Sequence, residues 1–299
     1  AWSCQLEFEF PSAAAAAKLG ANMAHAVARR GRPQPTPPGV THQRERQQVI
    51  AKDSGVLLVG HGTRDEVGTS QFFELASLLA DQLDPVPVEA ALLEFQQPTI
   101  PQAWDALVSQ KVKRLRVAPL LLFAAGHAKK DIPNALLECQ ARTPGIAFDQ
   151  TRPLSRHPAM IELARRRLAK SLSQATAPSN RTAVVMVGRG SYDPCAQADM
   201  RVLAEVVGHR VDVASVTTAF YAMASPRLPV VLDELAGRRQ FDTIVVQPHL
   251  LFEGRLYQAI LGQVDEARQR YPNIQWINSD YLGPDRLVAR AIVGRIEEE

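Results

Sequence analysis

The sequence predicts an α/β protein built from two tandem, doubly wound parallel-sheet domains of the Rossmann or flavodoxin-like kind. Three observations predict it. The chain repeats itself: Leu57-Leu58-Val59-Gly60-His61-Gly62-Thr63-Arg64-Asp65 returns as Val185-Met186-Val187-Gly188-Arg189-Gly190-Ser191-Tyr192-Asp193, so residue 61 maps to 189, an offset of 128. A second landmark repeats too, Pro119 to His127 against Pro248 to Arg255, with one residue dropped between Phe and Gly. Leu154 and Leu282 mark a third. From Gly55 onward, β-type and helical patterns alternate strictly, which implies parallel sheets covered on both faces. The β-type runs are short and apolar, and the first ends in glycine, as buried parallel strands do.

The elements follow in order. Val56–Gly60 is the first strand, and Glu66–Leu83 is a helix with Phe72, Ala76, Leu79 and Leu83 on one face. Val86–Leu93 is the second strand, followed by a helix over Thr99–Ser109 that opens after Pro98. Leu115–Phe123, a helix over Lys129–Gln140, Ile146–Gln150 and a helix over Ala159–Leu172 complete the first repeat. Thr176–Asn180 reads as a linker. The second repeat places strands at Ala183–Val187, Val211–Thr218, Thr243–Leu251 and Gln275–Ile277. The domains are expected at residues 54–175 and 181–298. Residues 1–53 stand apart: they hold an alanine run and a basic, proline-rich stretch, and 12–42 contain no acid. They read as a disordered or tag-like tail, with an Arg-rich leader as the other reading.

Composition narrows the function. A balance of 34 basic to 31 acidic residues, net +3, lacks the signature of a nucleic-acid binder. No apolar run approaches the roughly 18 residues needed to span a membrane. Three widely spaced cysteines (Cys4, Cys139, Cys195) without a CxxC pair point to a reducing, cytoplasmic setting and no thiolate metal site.

Three residues are candidates for chemistry. His61 lies between Gly60 and Gly62, which allow a tight turn and close approach to a ligand. A turn histidine with a purely local role would be expected in both repeats, yet the second carries Arg189. His127 stands in the same relation to the third strand, with Arg255 as its counterpart. Glu94 ends a buried strand, an expensive place for a carboxylate unless it is paired or used. Aligning Phe95 with Phe220 makes its counterpart Ala219. Ligands in such folds sit beyond the carboxyl ends of the strands, so both histidines are expected in one cleft. Two imidazoles and a carboxylate suit a divalent first-row metal and also accept protons near neutral pH. Arg64, Lys129 and Lys130 flank the site; they form a solvated face or, with Arg189 and Arg255, pair with a multiply anionic substrate. His249 aligns with Leu120 and is expected in the core, His157 at a helix start, and His209 in a surface turn.

These motifs, with Leu-Glu-Phe shortly before a proline and Pro-Leu-Leu-Leu-Phe-Ala-Ala-Gly-His-Ala-Lys-Lys-Asp-Ile-Pro, resemble the class II chelatases of tetrapyrrole biosynthesis. Within them the chain is most similar to the sirohydrochlorin cobaltochelatase/ferrochelatase group in its long two-repeat form, over about residues 54–298. The resemblance implies ATP-independent insertion of Co²⁺ or Fe²⁺ into sirohydrochlorin at an active site in the cleft between the two domains, with cobalt favoured because two-repeat relatives are commonly assigned to the cobalt branch. It implies His61 and His127 as catalytic, metal-contacting residues assisted by Glu94. No permanently bound cofactor is expected; the partners are sirohydrochlorin and the metal ion, with no nucleic acid or membrane, in a monomer or homodimer. Because imidazole binds metal only when neutral, activity is expected to rise through pH 6–7. Two rivals remain: a tetrapyrrole or metal carrier without turnover, and a phosphate-transferring enzyme using His61 as nucleophile. The second lacks the arginine that usually precedes such a histidine, since Gly60 stands there.

Overall fold

The computed structural model describes residues 53–124 and 130–298. The expected tail or leader, up to residue 52, lies outside the described residues, as do His127 and Lys129.

β1 (Ser54–Gly60) is buried at every position because it sits mid-sheet with helices on both faces. It pairs in parallel with β2 (Val88–Leu92) and β3 (Arg114–Pro119), and β4 (Ala147–Gln150) extends the sheet to give the order β2-β1-β3-β4. The second repeat builds the same sheet from β5 (Thr182–Gly188), β6 (Ser215–Phe220), β7 (Thr243–Pro248) and β8 (Gln275–Asn278), in the order β6-β5-β7-β8. The helices are α1 (Glu66–Leu83), α2 (Ile100–Ser109), α3 (Ile132–Arg142), α4 (Pro158–Leu172), α5 (Pro194–Gly208), α6 (Leu228–Gly237), α7 (Arg255–Arg270) and α8 (Arg286–Glu297). No helix among the described residues is long and apolar enough to cross a membrane.

Local sequence explains these boundaries. α1 begins where the Asp65 carboxylate accepts from the Gly68 amide at 3.1 Å, and it buries Phe72, Leu75, Leu79 and Leu83. α5 starts the same way, with Asp193 accepting from Cys195 at 2.9 Å. β3 and β7 end at Pro119 and Pro248, short of the expected Phe123 and Leu251. Proline offers no amide to continue the ladder. The apolar residues beyond it, Leu122 and Phe123 or Leu251 and Phe252, pack on the core as loop residues. β6 begins four residues later than expected because Ser215 pairs with Ala183 at the start of β5; Val211 and Val213 serve packing instead.

The core has three parts. α2 and α3 cover the outer face of the first sheet around Leu57, Val59 and Trp104. α6 and α7 cover the outer face of the second around Val185, Val187 and Leu232. Between the sheets lies the largest cluster, with residues from both repeats, and both sheets belong to one compact unit. Here the last helix of each repeat crosses over. α4 packs against α5 and β7 of the second repeat, where the buried Gln247 amide donates to the Ala164 carbonyl at 3.0 Å. α8 packs against α1 and β3 of the first repeat, and Arg116 from β3 donates to the Ile296 and Glu298 carbonyls at its end. Arg167 of α4 donates to the Leu282 carbonyl at 3.0 Å and Arg295 of α8 to the Leu154 carbonyl at 2.9 Å, two equivalent latches 128 residues apart.

Candidate active site

The loop after β1 is built by glycines. A Cβ on Gly60 would run into the Phe72 ring, so the strand end sits flush against α1. Gly62 has a φ of 92°, and a Cβ there would overlap the Glu94 carbonyl oxygen. The loop after β2 therefore lies directly against the loop after β1. The Glu94 amide donates to the His61 carbonyl at 3.1 Å, and the Gln96 side chain donates to the Thr63 carbonyl at 3.1 Å. The Arg64 guanidinium lies over the Phe95 ring, 4.8 Å from its centre. His61, Arg64 and Glu94 are thus brought together at the carboxyl end of β1, where the strand order reverses and ligands of such sheets sit.

Glu94 departs from expectation in two ways. It is exposed and lies two residues beyond β2, so burial places no demand on its charge. Its counterpart is Ala222, not Ala219. Gly60 pairs with Leu92 and Gly188 with Phe220, so the two repeats run here without a gap. The Ala222 amide donates to the Arg189 carbonyl at 2.8 Å, as Glu94 does to His61. Ala219 is buried inside β6. Matching Phe95 with Phe220 displaces this register by three residues; the contrast of carboxylate against methyl holds in either.

Loops of the second repeat close on this cluster. The Glu253 amide donates to the Gln71 side chain of α1 at 2.9 Å, and Gln71 donates to the Tyr281 hydroxyl at 2.7 Å. The Glu253 carbonyl lies so close that a Cβ on Gly68 would meet it at 3.0 Å. The reciprocal contact is made by Asp199 of α5, which accepts from Ser155 at 3.3 Å and pairs with Arg156 at 3.1 Å. Arg255 opens α7 two residues after Glu253 and is exposed; Arg189 is exposed after β5, and Lys130 is exposed just ahead of α3. His127 and Lys129 lie outside the described residues. Among the described residues no group of three or more histidines, cysteines and carboxylates is preassembled for a metal.

Sequence reasoning passed over Glu253 and Phe95. Glu253 stands where the first repeat has alanines, and Phe95 lies past the end of its strand; both signals were legible. Of the remaining histidines, His249 is 1% exposed, and its ring stacks on Phe123 with centroids 5.6 Å apart. Burial pushes its pKa down to about 4. His157 caps α4, its Nδ1 accepting from the Ala159 amide at 3.2 Å; burial, with help from Arg295, lowers its pKa. His209 pairs with Glu205 on the surface.

Comparison with known proteins matches the CbiX family model to residues 55–171 and again to 183–299. The chain is 28% identical to the sirohydrochlorin cobaltochelatase of Priestia megaterium, covering 81% of this chain and 79% of that one. It is 29% identical to the sirohydrochlorin ferrochelatase of Bacillus subtilis, covering 81% and 90%. A sirohydrochlorin cobaltochelatase of Sulfurisphaera tokodaii matches at 33% over 41% of this chain and 97% of its own length. Among solved structures, SirB from Bacillus subtilis with Fe³⁺ superposes with a TM-score of 0.72 at 30% identity, covering 82% of this chain and 95% of that one.

Proposed function

The chain belongs to the CbiX family, and on that premise we propose that it is a sirohydrochlorin chelatase inserting a divalent metal without ATP. The observation that carries the reading is the asymmetry of two matched turns. On the same backbone, with glycine at Gly62 or Gly190, the first repeat presents His61 beside Glu94 and the second presents Arg189 beside Ala222. One half is equipped for metal and protons, the other for charge.

Metallation must remove two pyrrolic protons while delivering a cation. His61 and His127 are proposed as metal-contacting residues and proton acceptors, and Glu94 as the third group of the set. The exposure of Glu94 suits this task, since a hydrated carboxylate passes an ion on more readily than a buried, fully coordinating one. Few protein ligands and an open coordination position keep the ion weakly held, so that the ring takes it. Arg64, Lys129, Lys130, Arg189 and Arg255 are proposed to pair with the carboxylates of the substrate. Relatives at 28% and 29% identity bear the cobalt and the iron names, so the substrate ion is proposed as Co²⁺ or Fe²⁺, with Co²⁺ to be tested first.

The test is anaerobic metallation of sirohydrochlorin followed by absorbance, with each ion separately, for wild type, His61→Ala and His127→Ala. Rapid insertion by wild type that both substitutions abolish is the expected result. A wild-type rate equal to the spontaneous one would sink the enzyme reading and leave a carrier.

A further inference from the structure

Beside His61 lies a pair that the metal-and-proton chemistry does not use. Phe95 is 53% exposed, unusual for so large an apolar side chain, and its backbone has a φ of 70°, a region that disfavours bulky residues. Met223 takes the same conformation in the second repeat, with a φ of 58°, so the turn accounts for the backbone but not for the ring. What the ring does is carry Arg64, whose guanidinium lies 4.8 Å over its centre. Among the described residues no carboxylate pairs with Arg64. The equivalent of Arg64 is Tyr192, so the pair belongs to the first repeat alone.

The physical consequence is specific. A guanidinium lying over an aromatic ring has one flat face covered and its rotamers restricted, while the N–H donors around its edge stay free. That is the posture in which arginine grips a carboxylate through two parallel hydrogen bonds. The loop on either side is fixed as well: Gln96 ties Phe95's segment to Thr63, and the Glu94 amide ties it to His61. A carboxylate held by Arg64 is therefore held at a set place relative to His61.

We propose that Phe95 is a positioning residue for substrate orientation, holding Arg64 so that its edge takes one carboxylate of the macrocycle and sets how the ring is turned toward His61. The inference rests on the chelatase reading. Its test combines binding of metal-free sirohydrochlorin, measured anaerobically by its optical change, with steady-state metallation. Arg64→Ala should weaken binding about tenfold or more. Phe95→Ala should weaken it roughly fivefold, raising KM while kcat stays near the wild-type value, and Phe95→Trp should restore it. In the Arg64→Ala background, Phe95→Ala should add nothing, because its effect acts through the arginine. Wild-type metallation with unchanged binding in Phe95→Ala would overturn this inference alone. So would full additivity of the two substitutions, or a tryptophan as poor as alanine. A wild type that neither binds nor metallates sirohydrochlorin would overturn both this inference and the chelatase reading.

Discussion

Gly62 and Gly190 sit in matched turns, with φ of 92° and 93°, each pressed against a carbonyl of the neighbouring loop. On that shared backbone one repeat carries histidine, arginine, glutamate and phenylalanine at 61, 64, 94 and 95. The other carries arginine, tyrosine, alanine and methionine at 189, 192, 222 and 223. The scaffold is shared, down to the capping Asp65 and Asp193; the side chains at these four positions differ. The two halves thus answer the same packing demands with one backbone while presenting different side chains at the turn.

The largest expected effect tests that separation directly. His61→Ala should lower the metallation rate by about 100-fold or more, the scale of losing a catalytic base and ligand. Arg189→Ala, on the matched turn of the second repeat, should leave kcat within about threefold and raise KM. Equal losses in kcat would break the division of labour.

Next come the turns themselves. Gly62→Ala and Gly190→Ala each force a Cβ into a carbonyl at a positive φ, and each should cost about 3 kcal/mol or more in denaturant unfolding. Matched losses are expected; a tolerated substitution at one site would show that the turns are not equivalent.

His249 sharpens the contrast within the core, where the first repeat has Leu120. Both amides donate to the equivalent residue of the central strand, Val187 and Val59, at 2.8 Å. Among the described residues neither ring nitrogen of His249 has a hydrogen-bond partner. Its pKa of about 4 lies below the unfolded value of about 6.5, so the unfolded chain binds more protons between those limits. Stability should be constant in this respect above pH 6.5 and fall by about 3 kcal/mol as pH drops to 4. His249→Leu should flatten that slope in denaturation curves taken from pH 4 to 7. An unchanged slope would place the titrating group elsewhere.

The smallest effect is expected at the latches. Arg167→Ala and Arg295→Ala should each lower stability by about 1–2 kcal/mol, since each removes charge-assisted bonds to a loop carbonyl of the other repeat. A marked difference between them would show that the two crossings are not equivalent.

Much of this was legible in the chain. α1 falls on Glu66–Leu83 as its periodicity indicates, because an aspartate cap and a proline frame a clean apolar face. The 128-residue offset revealed both the duplication and the loss of the first histidine from the second half. The apolar runs continue past Pro119 and Pro248 although the ladder stops there; hydrophobicity reports burial, not pairing. An apolar run up to Leu93 suggests burial for Glu94, yet the strand stops at Leu92 and Glu94 is exposed; the phenylalanine match of 95 with 220 likewise competes with the ungapped register that the strands follow. The crossing of α4 and α8 leaves no sequence signal, for an amphipathic helix reads the same whichever sheet it covers.

That crossing makes each half an incomplete body. A chain ending after α4 would carry a helix with no sheet of its own beneath it and a sheet lacking the helix that covers it. Such a half-length chain regains a closed interior by lending α4 to a second copy and borrowing one in return, so the smallest self-sufficient form of this architecture is a pair. Joining the two copies end to end removes the search for a partner. It also frees the halves from being alike, and the two matched turns differ accordingly: His61 lies against Glu94 in one and Arg189 against Ala222 in the other.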